Sequence, residues 1–510
     1  MEKKASVIKE IATFCKRKGF VFPSCEIYGG FSGFYDYGPL GVELKKNIKD
    51  SWWKRFVQER DDVFGIDACT INHPLVWKAS GHVDCFTDPL VECKKCHKRY
   101  RADHLIEDIL GIKADGLKIE EMNKIIKENS IRCPECKGEL TEVMTFNLMF
   151  KTFVGPVENE KSIAYLRPET AQMIFVNFKG VLETSRAKLP FGIAQIGRAY
   201  RNEISPRDFL FRVREFEQME IEYFIKEEDI NNCPFLTDEI LDFKLNVLSR
   251  EMQEKGESHK KMSIREALDK GIIKTRWHAY WIYEMVKWFI DLGVNPEKLR
   301  IRQHLKDELS HYALDTWDIE YCFPFGWKEI HGMANRTTYD LSQHMKFSGK
   351  DLRYFDEEKR ERIMPYVVAE PSQGVDRAFL VFLIDAYTKE EDRIVLKLNP
   401  KLAPYKVAVF PLVKKDGLDE IAKKIHSMLK KHFTSFYDEK GSIGRRYARQ
   451  DEIGTPFCIT IDYQTKEDNT VTVRNRDSKE QVRVKIDNLV DVLRSLIDGE
   501  VKFEELNNKI

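Results

Sequence analysis

Residues 197–220, GRAYRNEISPRDFLFRVREFEQME, read as the inner halves and turn of a β-hairpin whose residues a plain surface hairpin would not need. With a period of two, the first arm, FGIAQIGRAYRNE, places Gln195, Gly197, Ala199, Arg201 and Glu203 on one face. The return arm, REFEQMEIEYFI, places Met219, Ile221, Tyr223 and Ile225 on one face and Phe216, Gln218 and Glu220 on the other. One side of the ribbon is core. The other is a floor with an arginine, two acids and an aromatic ring above small residues. Such a floor suits a planar, charged ligand such as a nucleotide: a guanidinium fork for phosphate, a ring for stacking and a carboxylate for an amino group.

Two further segments frame the hairpin. Residues 364–389, MPYVVAEPSQGVDRAFLVFLIDAYTK, predict a buried strand, a turn and an apolar helix entered near Gly374 and Asp376. Period two puts Val368, Glu370 and Ser372 on one side. Arg377 falls in the first helical turn, where a cation opposes the helix dipole, so a structural role explains it poorly. Residues 21–57, VFPSCEIYGGFSGFYDYGPLGVELKKNIKDSWWKRFV, place Pro39 at the entry of a helix with the stripe Leu40, Leu44, Ile48, Trp52 and Phe56.

In chain order, a proline-led helix, an Arg-x-Glu hairpin and a Gly-x-x-Arg helix resemble the three signature motifs of class II aminoacyl-tRNA synthetases. Within that class, YGGFSGFYDYGPLG, WKASGHVDCFTDPL, YLRPETAQ, RNEISPR, REFEQMEIEYF, GWKEIHGMANRTTYDL and AEPSQGVDR are similar to the wording of the dimeric glycyl-tRNA synthetase family, across roughly residues 8–497. The resemblance implies an α+β fold: an antiparallel catalytic sheet with flanking helices in residues 1–399, and an anticodon-binding α/β domain in residues 404–510.

Composition sets wider bounds. The 510 residues suffice for two to four domains, and 42% hydrophobic with 33% charged residues describe a soluble globular protein. The net charge of +0 gives no global attraction to nucleic acid, so any tRNA surface must be a local basic patch. No apolar run approaches the ~20 residues of a membrane-spanning helix. The start, MEKKASVIKEIATFC, reads as an amphipathic helix with Val7, Ile8, Ile11 and Cys15 on one side, without a signal-peptide pattern, which predicts a cytoplasmic protein with no membrane partner.

Two insertions interrupt the catalytic text. Residues 90–143 carry Cys93 and Cys96 as CKKC, and Cys133 and Cys136 as CPEC, two knuckles with the spacing of a tetrahedral zinc ribbon; the alternative is four buried or free thiols. Lys94, Lys95, His97, Lys98 and Arg99 favour thiolates and offer an RNA contact. Cys15, Cys25, Cys69, Cys85, Cys233, Cys322 and Cys458 are scattered and read as core. Residues 226–317 are rich in helix formers and predict a mostly helical insertion, with Tyr280, Met285, Trp288 and Phe289 as a packed stripe. After the prolines of NPKLAPYK, alternating strands and helices form a small α/β unit. Its Arg445, Arg446 and Arg449 either meet RNA phosphates or form a solvated helix face.

The resemblance also implies a reaction: glycine attacks the α-phosphate of ATP to give glycyl-adenylate, and the terminal ribose of tRNA(Gly) then takes the glycyl group. Arg201 and Arg377 are the implied catalytic residues. The implied ATP contacts are Arg201, Asn202 and Glu203; the run Phe211, Arg212, Val213, Arg214, Glu215 and Phe216; Glu329 and Ile330; and Gly374, Val375, Asp376 and Arg377. Glu329 is the implied magnesium ligand. For glycine they are Arg101 and Glu169; Phe216, Glu217, Gln218, Met219 and Glu220; and Glu370, Pro371, Ser372, Gln373 and Gly374. Glu169, Glu220 and Glu370 would surround the ammonium, and Ser372 would fill the space of a larger side chain. Read alone, Glu217 and Glu222 are strand acids expected to be solvated or paired with an arginine. A homodimer and a side synthesis of diadenosine tetraphosphate are further family expectations. Two other classes stay open: a synthetase-like tRNA-binding protein without catalysis, and a class II synthetase for alanine, proline, serine or threonine.

Overall fold

The computed structural model describes residues 2–114, 116–310, 313–391 and 393–508. Its centre is a nine-stranded, mostly antiparallel sheet in the order Lys260–Ser263, Lys244–Leu248, Leu299–Gln303, Asp315–Phe323, Gly326–Asn335, Tyr366–Gly374, Glu215–Ile225, Phe191–Tyr200 and Val63–Ile66. Both faces are covered over much of its width, so the central strands are buried almost throughout.

On one face the helices Pro39–Trp53, Arg276–Asp291 and Val375–Ala386 build the larger core. Leu40, Leu44, Ile48, Trp52 and Phe56 are all buried there, as their spacing predicts. So are Tyr280, Met285, Trp288 and Phe289. In the N-terminal helix, Ile8, Ile11 and Cys15 are buried while Val7 is exposed. The other face is covered only in part, by the helix Ala171–Ser185, whose Ile174, Phe175 and Phe178 pack on Phe191, Ile193 and Phe224. The open remainder of that face carries Phe216, Gln218 and Ser372, which line a cleft.

Several expectations need correction. The segment 226–317 is not mostly helical: it also supplies the strands Lys244–Leu248, Lys260–Ser263 and Leu299–Gln303, which extend the main sheet. Val368 packs in the larger core rather than sharing the side of Glu370 and Ser372, because the register against Glu215–Ile225 shifts by one beside it. Cys25, Cys69, Cys85 and Cys322 are exposed, so only Cys15, Cys233 and Cys458 of the scattered thiols are core.

The cysteine module pairs Arg99–Arg101, Thr87–Glu92 and Met144–Asn147 in a small sheet and closes its own core with Val91, Leu105, Ile106 and Met122. The C-terminal unit has a five-stranded sheet in the order Ser435–Tyr437, Val407–Pro411, Phe457–Ile461, Thr470–Asn475 and Gln481–Lys485. It is tied to the catalytic part by Arg476, which donates to the carbonyls of Leu398 at 2.8 Å and Gly454 at 2.7 Å, and by the pair of Arg393 with Asp451. Arg446 is buried and donates to the carbonyls of Pro411 and Leu412, and Arg449 is held by Asp438 at 2.5 Å; of the three arginines weighed for RNA, only Arg445 is exposed without such a tie. No helix among the described residues is long and apolar enough to cross a membrane.

Candidate active site

In the hairpin, Gln195 pairs with Glu220, Gly197 with Gln218 and Ala199 with Phe216, so the floor is one surface. Strand pairing ends at Tyr200, and Arg201 and Glu203 lie in the loop beyond it. Arg201 still returns over the floor. Its Nε donates to Pro168 O at 3.0 Å, and its guanidinium sits 5.3 Å from the Phe216 ring and 5.4 Å from that of Phe86.

These groups line a cleft with Phe211, Arg212, Val213, Gln218, Glu329, Ile330, Ser372, Gly374, Asp376 and Arg377. Arg377 lies 4.5 Å over the Phe211 ring and pairs with the Glu329 carboxylate at 3.1 Å. Glu329's setting in the cleft opposes ionisation, but Arg377, His304 and Arg201 more than offset this and hold its carboxyl below the usual range. Arg212 faces Glu203 at 3.9 Å, and Arg212 Nη1 and Glu203 Oε2 are both buried without a hydrogen-bond partner. Two opposite charges left short of a bond inside a cleft mark a place for a polar ligand.

Beyond Gln218 and Ser372, which line the inner end of the cleft, lies a cluster of buried acids. Gln218 stands between the cleft and these acids: its Nε2 donates to Ser372 Oγ at 3.2 Å and its Oε1 accepts from Thr170 N at 3.2 Å. Behind it Glu220 accepts from Thr170 Oγ1. Glu169 faces His82 Nε2 at 3.3 Å and accepts from Gln172 Nε2 at 3.1 Å. Arg336 donates to Glu370 at 2.6 Å and forks onto Asp340 at 2.8 and 2.9 Å. Burial opposes ionisation of Glu169, but His82 and Arg336 hold it well below the usual range; burial and neighbouring acids push Glu220, Glu222 and Glu370 above it.

The loop bearing Glu169 and Thr170 is fixed by Arg167, which donates to Arg198 O at 2.7 Å, Ala68 O at 3.0 Å and Gln195 Oε1 at 2.9 Å. A Cβ on Gly197 would stand 2.0 Å from Arg167 Nη2, so glycine there is what allows the guanidinium to lie on the strand.

Other expected residues sit elsewhere. The Met219 side chain is in the larger core, and Glu217 is held by Lys45 at 2.8 Å and Lys49 at 2.9 Å on that same reverse face. Glu215 pairs with Arg198 at 2.5 Å, and Arg214 braces Glu203 O at 2.9 Å and Ser32 O at 2.7 Å. Asn202 N donates to Leu148 O at 2.7 Å. Val375 is in the core, Pro371 is buried, and Gln373 donates to Ile330 O at 2.8 Å. Arg101 pairs with Asp88 at 3.1 Å and with Asp103; burial raises Asp88 to about 6 although Arg101 opposes it. Glu222 is not solvated: it is wholly buried. Sequence reasoning gave no role to Phe86, His82, Arg167 or Arg336, although all four lie in or beside quoted motifs.

Cys93, Cys96, Cys133 and Cys136 bring their sulfurs within 4.8 Å of one another, with Cys93 to Cys136 at 3.4 Å and Cys96 to Cys133 at 3.7 Å. Zinc–sulfur bonds of about 2.3 Å in a tetrahedron need sulfurs about 3.8 Å apart, so the set fits zinc. Tyr100's hydroxyl, 3.3 Å from Cys133 Sγ, and backbone amides bring that thiol down to about 6. The two knuckles match: His97 and Lys137, each following its second cysteine, have φ of 57° and 58°.

Residues 152–387 match the family described as tRNA synthetase class II core domain (G, H, P, S and T), and residues 406–496 match the anticodon binding domain. A glycine–tRNA ligase of Geobacillus thermodenitrificans is 49% identical over 510 residues, 98% of each chain, and one of Caldanaerobacter subterraneus is 50% identical over 489 residues, 94% of this chain and 96% of that one. The chain belongs to the glycine–tRNA ligase family. Among solved structures, prolyl-tRNA synthetase from Cryptosporidium parvum shares the fold, with a TM-score of 0.57 at 14% identity over 96% of this chain and 77% of that one. The α+β architecture follows from this family: a class II core followed by an anticodon-binding domain.

Proposed function

We infer that the chain joins glycine to tRNA(Gly) with ATP, by way of glycyl-adenylate. The observation that carries this is the adjacency of two unlike groups of side chains, joined through Gln218 and Ser372. A cleft with Arg201, Arg212 and Arg377 borders a cluster where buried acids outnumber the guanidinium paired with them, Arg336. The first suits a nucleoside triphosphate and the second an ammonium group, and the substrates react where they meet.

The glycine carboxylate and the tRNA hydroxyl are themselves the nucleophiles, so the protein's work is positioning and charge stabilisation. Arg201, clamped between Phe86 and Phe216, meets the α-phosphate as charge builds there. Phe216 offers a ring to adenine, Glu203 accepts from its amino group, and Arg212 and Arg377 take the outer phosphates. Glu329, an oxygen donor in the cleft held below the usual carboxylate range, would hold the magnesium that accompanies ATP, and that ion would supply neutralisation of phosphate charge. Glu169, Glu220 and Glu370 surround the glycine ammonium, while Ser372 at the pocket mouth excludes a side chain. Excluding larger amino acids is steric, so no editing domain is needed.

The C-terminal domain carries the tRNA anticodon contact. The four-cysteine module holds a structural zinc, and eleven free cysteines suit a reducing compartment such as the cytoplasm. Ile27, Tyr28 and Phe31 are 88%, 87% and 81% exposed just before the Pro39 helix, an apolar surface that suits a homodimer contact. Diadenosine tetraphosphate synthesis would use the same adenylate with ATP as acceptor.

The test is glycine-dependent exchange between ATP and pyrophosphate, run beside alanine, serine, proline and threonine, then charging of tRNA(Gly). Exchange selective for glycine is expected. Exchange with none of the five would leave a tRNA-binding protein without catalysis, and preference for another amino acid would overturn the pocket assignment.

A further inference from the structure

Glu222 stands two residues beyond Glu220 on the same face of the strand Glu215–Ile225, fully buried between the acidic pocket and the apolar packing of the helix Ala171–Ser185. Neither of its carboxyl oxygens has a hydrogen-bond partner. One oxygen each from Glu220, Glu222 and Glu370 lie within 4.8 Å of one another.

The charged and titratable groups facing Glu222 are Glu370, Arg336, Glu220 and Asp340, with Glu169, His82 and His344 in the next positions of the same network. Each of the other acids has a partner: Glu169 has His82 and Gln172, Glu220 has Thr170, and Asp340 and Glu370 share Arg336. His344 is bound to Gln172 at 2.8 Å, and burial disfavours its charged form. Arg336, helped by His82 at Glu169 and by the more distant Arg167 at Glu220, is thus set against five buried carboxyls. Three carboxylates this close in a dry site, whose guanidinium is shared between Glu370 and Asp340, are not all ionised without a further cation, so the free protein keeps a proton among them. Burial first, and then Glu370, favour Glu222 in its protonated form. The proton belongs to the cluster as a whole.

We propose that Glu222 is a positioning residue that supplies this proton site, and that the glycine ammonium, on entering the pocket, expels the proton to solvent. The proposal rests on the glycine reading of the pocket. In the exchange the cluster loses one proton and gains one ammonium, so net charge is conserved. Glu222 thereby keeps Glu220 and Glu370 side by side in the free protein without mutual repulsion, and leaves both ionised when the substrate arrives.

The experiment is calorimetric titration of the full chain with glycine, in the presence of a non-hydrolysable ATP analogue, in buffers of different ionisation enthalpy between pH 5.5 and 8.5. About one proton should be released per glycine bound, and glycine affinity should rise about tenfold per pH unit below the titration point of the cluster. Glu222→Gln keeps the shape but carries no exchangeable carboxyl proton. It should release close to none and lose the pH slope in glycine KM, while kcat for pyrophosphate exchange changes much less. Glu222→Asp should restore the slope. Absence of proton release from the unmodified protein would overturn the proposal, as would full release from Glu222→Gln. The first of these needs no variant, so a poorly folding variant does not remove the test. Failure of the glycine reading itself would show differently, as no glycine-dependent exchange at any pH.

Discussion

Arg336 donates to Glu370 at 2.6 Å while its other nitrogens grip Asp340, so one guanidinium orders both a strand acid and a helix acid around the pocket. At 1% exposure it is held in place by the cluster it neutralises.

Removing that cation leaves buried acids without a partner. Arg336→Met should destabilise the chain by about 3–5 kcal/mol, the usual cost of breaking a buried pair from one side. The loss should depend on pH. Glu222 and Glu370 already have folded pKa values above the usual carboxylate range, so their ionisation works against folding, and stability falls as pH rises through that window. Without Arg336 this effect grows. Urea midpoints at pH 5.5 and 8 should show a wider gap between variant and parent at pH 8; an equal gap at both would mean that Arg336 acts by packing alone.

Arg201 is held between the rings of Phe216 and Phe86 and lines the cleft. Arg201→Ala should bind glycine normally yet lose about 10²–10³-fold in pyrophosphate exchange, because a phosphate clamp acts on charge that develops in the transition state. Arg201→Lys should recover little, since an ammonium lacks the planar fork that stacks and bridges. Unchanged exchange in Arg201→Ala would remove Arg201 from the chemistry.

The cysteine module should carry one zinc per chain. Its four sulfurs are already drawn together, and a Cβ on Gly138 would come within 3.0 Å of Cys93 Sγ and 3.2 Å of Cys136 Sγ, so the neighbouring backbone is shaped around them. Elemental analysis after purification without chelator should find stoichiometric metal, and Cys133→Ser should reduce it. Chelation should also slow adenylate formation, because the module's first strand, Thr87–Glu92, directly follows Phe86, whose ring packs against Arg201. Metal content unaffected by Cys133→Ser would refute the ligand set.

What could be read from the sequence followed the regularity of the backbone. The floor was legible through Ala199 because the hairpin keeps strict antiparallel register from Phe191 to Tyr200, and the Leu40 to Phe56 stripe was legible because one helical repeat runs through it. Glu222 looks solvated in the sequence because alternation along a strand cannot say that the helix Ala171–Ser185 covers that face. Arg336 went unassigned because its partners come from 34 residues downstream and from the adjoining helix, a meeting that only the fold creates. The strands Lys244–Leu248 and Leu299–Gln303 were hidden among strong helix formers, and their pairing spans an intervening helix pattern. Val368 departs from period two at a register shift that no local residue announces.

Deleting residues 404–510 should leave adenylate formation largely intact and remove most tRNA charging, since the cleft and acidic pocket lie wholly in the catalytic part. The seam will be felt: the truncation strips Arg476 from Leu398 O and Asp451 from Arg393, and should lower the melting temperature. A folded truncation lacking both activities would show that the two steps do not divide between the domains.

Ser372 and Glu220 test the pocket from its mouth and its floor. They are directly paired across adjacent strands, and Ser372 Oγ is tied to Gln218 at 3.2 Å, so the hydroxyl stands fixed where a side chain on the substrate α-carbon would go. Ser372→Gly should open room for a methyl group and raise alanine activation relative to glycine. A methylene is worth only about 1–3 kcal/mol in such discrimination, so the change should be large in ratio yet incomplete in rate. Glu220 is 1% exposed with Thr170 as its hydrogen-bond donor, so Glu220→Gln removes charge with little change of shape. It should weaken glycine activation by about 2–5 kcal/mol, the range for one side of a buried charge pair, and alter ATP affinity far less. Exchange kinetics with glycine and alanine for both variants separate the roles. An unchanged alanine-to-glycine ratio in Ser372→Gly would take the serine out of substrate selection, and a Glu220→Gln variant that loses ATP rather than glycine would move the ammonium elsewhere in the cluster.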